Sequence, residues 1–181
     1  MLRIIGGYYK HRLMDQPPLE ITRPTKDIAK EGLFNSLGDI SDLSFLDLFS
    51  GSGAIGIEAY SRGAKRVALN DANKEAKRTI MRNLLALGIN EIEVYGLNDQ
   101  DCLRELAKTK SPSFDIIFLD PPYAFKLTND YLLNMENCGV LNNKTLVIIE
   151  SDEPLDTLEF KDYNIKVLKY GKTLMNLLRR K

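Results

Sequence analysis

The chain has 181 residues, 44% of them hydrophobic and 28% charged, with a formal net charge of +0. That suits one soluble globular domain with a real core and a small appendage. Two distant cysteines, Cys102 and Cys138, and a single histidine, His11, argue against a zinc site. The opening Met1 to Gly7 has no signal-peptide core and no stretch is long and apolar enough to span a membrane. A reducing cytoplasm is therefore expected, with neither a membrane nor a metal as partner.

Charge is unevenly spread. Residues 1–30 carry six Lys/Arg against three Asp/Glu, and residues 161–181 seven against one. Residues 111–160 are acidic, two against nine. A phosphate-binding surface needs a basic face rather than a basic total.

In chain order, residues 3–13 read as a hairpin turned at Gly6-Gly7, whose second arm interleaves Tyr8 and Tyr9 with Lys10 and Arg12. Pro17-Pro18 breaks the pattern. Thr25 is the expected N-cap of a helix placing Ile28, Leu33, Phe34 and Leu37 along one side. Residues 1–40 are expected to form an N-terminal arm laid on a main domain spanning 41–181. From Phe45 onward strands and helices alternate: strand 45–49, a tight turn over 50–53, helix 54–62, strand 66–69, helix 73–87, strand 92–95, helix 101–108, strand 114–119, helix 127–137 and strand 145–150. Residues 163–169 and 173–178 flank Gly171 as a hairpin. The alternation predicts an α/β fold with a parallel sheet covered on both faces.

The turn Gly51-Ser52-Gly53-Ala54-Ile55-Gly56 fits G-x-G-x-x-G between a strand and a helix, where the backbone can approach a ligand closely. Alone it is a weak signal. Asp47 lies in the strand before it. Asp71 ends the next strand, where a carboxylate can accept hydrogen bonds from ribose, each worth roughly 1.5–3 kcal/mol. Asp71 also reads as an N-cap for the helix at Asn73. Asp101 follows the third strand and can accept from an adenine amino group; Asp99 competes for that role. The turn and the ribose acid fit NAD and S-adenosylmethionine equally well.

The fourth strand, Phe114 to Leu119, ends in Asp120-Pro121-Pro122-Tyr123. The prolines fix φ and donate no N–H, so the strand end presents a carboxylate, bare carbonyls and an aromatic ring. Hydride transfer has no evident use for that group; methyl transfer to a planar amine does. Such an amine is a poor nucleophile because its lone pair is delocalised. Hydrogen bonds from it to Asp120 and the Pro121 carbonyl favour a pyramidal nitrogen, a matter of positioning and electrostatics. Tyr123 can stack on the flat group.

Asp47 to Ala59, Ser61-Arg62-Gly63-Ala64 and Phe114 to Tyr123, with Arg3-Ile4-Ile5-Gly6-Gly7, Arg23-Pro24-Thr25, Leu33-Phe34-Asn35 and Tyr170-Gly171, resemble the bacterial RsmD family over nearly the whole chain. The resemblance implies a class I S-adenosylmethionine-dependent methyltransferase: a Rossmann-like, seven-stranded, mostly parallel sheet ending in an antiparallel hairpin. It implies methylation of a guanine 2-amino group in small-subunit (16S) ribosomal RNA, free or in an assembly intermediate. A cytoplasmic monomer is expected. It places the methionine portion of the cofactor at Asp47, Gly51, Ser52 and Gly53, the ribose at Asp71 alone, and the adenine at Asp101 with the Cys102 backbone, with Phe49 and Ala72 as further cofactor-binding residues. Catalysis falls to Asp120, Pro121, Pro122 and Tyr123, and RNA contact to the arm through Arg3, Lys10, Arg12 and Arg23. Asn73 stands where the family commonly has an acid, and Tyr8 and His11 where lysine and glycine are common. The alternatives are a DNA adenine or protein glutamine methyltransferase using the same tetrapeptide, and a ribosome-assembly binder without catalysis.

Overall fold

The computed structural model describes residues 2–18, 27–122 and 125–181. Its elements are β1 (Leu2–Arg3), β2 (Leu13–Met14), α1 (Asp27–Leu37), β3 (Ser44–Asp47), α2 (Ala54–Ser61), β4 (Arg66–Asn70), α3 (Lys74–Leu87), β5 (Glu93–Tyr95), α4 (Asp99–Ala107), β6 (Ile116–Leu119), α5 (Asn129–Asn137), β7 (Leu146–Ser151), β8 (Tyr163–Tyr170) and β9 (Thr173–Arg180). Seven strands form one sheet in the order β5-β4-β3-β6-β7-β9-β8. The first five run parallel, and β9 pairs antiparallel with β7 and β8. This is the class I methyltransferase architecture expected from the sequence.

Successive strand residues point to opposite faces, and the sequence supplies apolar residues for both. Phe45, Val67, Leu69, Ile116, Phe118 and Ile148 join one buried cluster with α2 and α3. Leu46, Ala68, Ile117, Leu119, Val147 and Ile149 join the other with α4 and α5. Such double burial is why these strands read as unbroken apolar runs. Strand order reverses between β3 and β6, the crevice where open α/β sheets hold ligands. The register Asp47↔Phe118 aligns the two strand ends there.

The N-terminal arm packs into the first cluster through Leu2, Ile4, Met14, Leu33 and Phe34. Its hairpin is shorter than expected, with pairs only at Leu2↔Met14 and Arg3↔Leu13. Gly6-Gly7 does not make a tight hairpin turn because the loop docks on the last turn of α2. Tyr8 N–H donates to the Ser61 carbonyl at 2.7 Å and Tyr9 N–H to Ser61 Oγ at 2.9 Å. Gly7 has φ +75°, and a Cβ there would lie 1.7 Å from the Ser61 carbonyl oxygen, so only glycine fits. His11 also adopts a left-handed φ, 73°, which explains why glycine suits that position.

One expectation for α1 fails: Ile28 is 73% exposed. Lys30, unremarked in the sequence, is 1% exposed. Lys30 reaches inward because Glu58, itself 0% exposed, stands 3.5 Å away, and its Nζ donates to the Arg3 carbonyl at 2.5 Å. Glu58 also accepts from Ile5 N–H at 2.8 Å, Gly6 N–H at 2.7 Å and Arg62 Nε at 2.8 Å. A buried ion pair of this kind persists when its remaining hydrogen-bonding capacity is filled. Thr25, the expected cap of α1, lies outside the described residues.

Candidate active site

A cavity of about 1360 Å³ opens over the carboxyl ends of β3, β4, β6 and β7. Asp47, Phe49, Gly51, Ser52, Asp71, Ala72, Asp120, Pro121 and Pro122 all line it. Gly53 lies just behind, as the N-cap of α2. Tyr123 lies outside the described residues.

The glycine turn is held by its neighbours. Gly51 N–H donates to Asp71 Oδ2 at 2.8 Å, and Asn73 N–H to Asp71 Oδ1 at 2.8 Å. Asp71 thus stands astride the turn and the start of α3, with lone pairs left on both oxygens for ribose hydroxyls. The expected N-cap role for Asp71 is filled instead by Asn73, whose Oδ1 accepts from Glu75 and Ala76 N–H. Asn70, unremarked in the sequence, stitches three strand ends together. Its Nδ2 donates to the carbonyls of Leu48 and Leu97, and its Oδ1 accepts from Leu97 N–H, all at 3.1 Å. A lone Asn closing an apolar strand was the signal for it. Asn83 joins the arm to the turn, exchanging bonds with Asp15 and donating to the Ser52 carbonyl at 3.1 Å.

Asp47 is the anomaly of the site. It is 1% exposed, and its Oδ1 has no hydrogen-bond partner. Burial, reinforced by the nearby charge of Asp71, pushes its carboxyl up to about 8. An uncompensated buried carboxylate costs free energy, and a cationic ligand group in the cavity would satisfy it. The donor set fits S-adenosylmethionine: an acid with one orphan oxygen for its positive charge, a pinned acid for its ribose and a backbone turn between them.

The adenine end differs from the expectation. Asp101 and Cys102 do not line the cavity; Asn98 and Asp99 do. Helix α4 begins two residues earlier than expected because Asn98 caps it. Asp101 closes a reciprocal capping pair: its N–H donates to Asn98 Oδ1 at 2.9 Å, and Asn98 Nδ2 donates back at 2.6 Å. It also pairs with Arg104. Cys102 is fully buried in α4, and burial pushes its thiol up to about 12. Asp99 Oδ2 instead accepts from Tyr131 Oη at 2.8 Å. The Asn-x-x-Asp spacing was the cue that Asp101 belongs to a cap.

The strand end at Asp120-Pro121-Pro122 continues into an aromatic latch. Phe125 N–H donates to the Pro122 carbonyl at 2.7 Å. Its ring meets Phe49 edge-on at 5.4 Å and Tyr131 at 5.1 Å between centroids. Such pairs add roughly 0.5–1.5 kcal/mol beyond area burial. Phe125 and Lys126 line the cavity beside Pro122.

Of the expected RNA contacts, Arg3, Lys10 and Arg12 are exposed but line no part of the cavity. Lys10 and Arg12 sit on the loop docked at the far end of α2 from the glycine turn. Arg23 lies outside the described residues. Among the described residues, no cluster of His, Cys, Asp and Glu could hold a metal ion, and no helix is long and apolar enough to cross a membrane.

A family model described as Conserved hypothetical protein 95 matches residues 2–179. Ribosomal RNA small subunit methyltransferase D of Haemophilus influenzae is 35% identical over 163 residues, covering 87% of this chain and 83% of its own. The Escherichia coli K12 protein of the same name is 34% identical over 152 residues, covering 83% and 75%. The solved structure of yhhF from Escherichia coli, a protein named there as a methyltransferase, superposes with a TM-score of 0.80 at 28% identity, covering 99% and 98%. The chain belongs to the Conserved hypothetical protein 95 family, the family of the RsmD methyltransferases.

Proposed function

We propose that the protein transfers a methyl group from S-adenosylmethionine to the exocyclic 2-amino group of a guanine in small-subunit (16S) ribosomal RNA. It does so as a cytoplasmic monomer, on free RNA or on an assembly intermediate of the subunit. One juxtaposition carries the reading. The Asp47↔Phe118 register sets a buried carboxylate with one unpartnered oxygen beside the strand that ends in Asp120-Pro121-Pro122, and both open on one cavity. Family membership supplies the guanine and the RNA.

When bound, S-adenosylmethionine supplies an electrophilic methyl group on a sulfonium. Asp47 and the 51–53 turn hold its cationic amino-acid portion, and Asp71 with Ala72 its ribose. Asp99, oriented by the Tyr131 hydroxyl, replaces Asp101 as the acceptor for the adenine amino group. Asp120 and the Pro121 carbonyl then accept the two N–H groups of the substrate amine. Neither Pro121 nor Pro122 has an N–H, so the backbone there offers only acceptors to a donor-only group. Holding the nitrogen with its lone pair toward the methyl replaces a diffusive encounter by a positioned one. After transfer the nitrogen carries one proton too many, and Asp120 is the group placed to take it. Tyr123, from its position in the motif, stacks on the base, worth roughly 1–3 kcal/mol. A base within folded RNA must first be unstacked, at a cost of a few kcal/mol.

The test is the partition of label. Incubation with methyl-labelled cofactor and an equal-mass mixture of small-subunit RNA, duplex DNA and ribosomal protein should label the RNA alone. Label confined to DNA or to protein would replace this reading by the adenine or the glutamine alternative.

A further inference from the structure

The cavity has two unlike banks. On one side helix α3 starts at the rim, where Ala72 and Asn73 line the cavity. Its outward face carries Lys74, Lys77, Arg78 and Arg82, all exposed, against the single acid Glu75. Arg78 and Arg82 share that acid at 3.4 and 3.6 Å, and exposed pairs of this kind are worth little. The stem of Lys77 lies against Gly96, just past β5, so its charge sits near the carboxyl ends of the strands. At about 1.5 Å per residue, Lys74, Lys77 and Arg78 fall within two helical turns of the rim. The positive end of the helix dipole points the same way. On the other side the segment from β7 to β8 lines the cavity with Glu150, Asp152, Glu153, Asp156 and Glu159.

We propose that the exposed face of α3 is the surface that carries the RNA phosphates, with the backbone running along that bank and only the target base crossing toward the acidic one. The inference rests on the RNA-methylating function proposed above. A polyanion laid over the β7–β8 segment would meet five carboxylates; laid over α3 it meets four cations and one acid. Among the described residues, Lys126 lines the cavity beside Pro122, and Lys169 and Lys172 flank the turn before Thr173 on the acidic side, where the five carboxylates outnumber them. The remaining basic stretches lie farther off. Lys10 and Arg12 are at the opposite end of α2 from the glycine turn. In the basic C-terminal hairpin, Lys166 and Arg179 line a separate groove of about 530 Å³ with Leu43 and with Lys144, which precedes β7 at the amino-end side of the sheet. Arg180 is paired with Glu136. A helix face of solvated charges is common. What sets this face apart is its place on the cavity rim, opposite a bank of the other sign.

The experiment is the salt dependence of small-subunit RNA binding by the full-length protein. It compares wild type, the quadruple variant Lys74→Ala/Lys77→Ala/Arg78→Ala/Arg82→Ala, and Lys10→Ala/Arg12→Ala. Counterion release gives a slope of log K against log salt that falls by roughly 0.7–0.9 for each phosphate the protein no longer neutralises. The α3 variant should flatten the slope by two units or more on that scale and bind RNA at least tenfold more weakly, with unchanged affinity for S-adenosylmethionine. That unchanged affinity shows that the fold and cofactor pocket survive. If the single quadruple variant is too unstable, Lys74→Ala/Lys77→Ala should give about half the change in slope. A wild-type slope in the folded α3 variant overturns the proposal, whatever the Lys10/Arg12 variant does. A wild-type protein that labels no RNA removes the function on which the proposal stands, a distinct outcome.

Discussion

Helix α2 has a buried carboxylate at each end, and the two could hardly be treated more differently. Glu58, near its carboxyl end, accepts two backbone N–H groups and the Arg62 guanidinium and faces Lys30. Asp47, just before the turn that opens the helix, keeps one oxygen without a partner and is held largely protonated by burial and by Asp71. Both are essentially without solvent. A satisfied buried charge fastens chain to chain; an unsatisfied one beside a cavity is a place for a ligand. One acid therefore belongs to the architecture, and the proposed function assigns the other to the chemistry.

Breaking the first should unfold and breaking the second should not. Glu58→Gln removes the counter-charge of Lys30 and turns an amide donor toward N–H donors. The expected cost is about 3–5 kcal/mol in a denaturant titration, since it strands a buried charge. A loss below about 1 kcal/mol would mean that the arm does not depend on this cluster.

Asp47→Asn should instead weaken S-adenosylmethionine binding by roughly 1.5–3 kcal/mol at pH 8, or about 10- to 150-fold, through loss of a charge-assisted hydrogen bond. Its pH dependence sharpens the contrast. Because the carboxyl must ionise to meet a cation, the affinity advantage of wild type over Asn should grow from pH 6 to about 8 and level off above. Taking the difference between the two proteins cancels the ligand's own titration. Stability of the ligand-free protein should move the opposite way. A carboxyl whose folded pKa is raised contributes stability that is full below its unfolded value, near 3.8, and is lost as pH rises through about 8. Asp47→Asn should thus be increasingly the more stable protein over that interval. An affinity difference independent of pH would remove Asp47 from the cofactor's charged end.

The same contrast explains what could be read from the amino acids alone. Local rules sufficed for the sheet. Apolar runs such as Phe114 to Leu119, broken by prolines or by the glycine turn, carry their own length and ends, and Gly171 marks the final hairpin. That the glycine turn, Asp71 and Asp120 would meet at one cavity was legible because each sits at a strand end. Long-range pairing was not. Nothing in the helix of Lys30 announces a partner 28 positions on, so its burial went unread and Ile28 looked inward. The hairpin formed, but Gly6-Gly7 read as its tight turn because the loop's docking contact, the last turn of α2, is more than 50 residues away. Asp99 rather than Asp101 lines the cavity for a local reason: the Asn98 cap starts the helix early and engages Asp101.

The most direct measurement is nucleoside analysis of small-subunit RNA, isolated from a strain lacking the enzyme and then incubated with cofactor and protein. Wild-type protein should generate 2-methylguanosine. Asp120→Ala should generate none above background while binding S-adenosylmethionine within a few-fold of wild type. Methylated adenosine in place of 2-methylguanosine, or turnover by Asp120→Ala at the wild-type rate, would contradict the account.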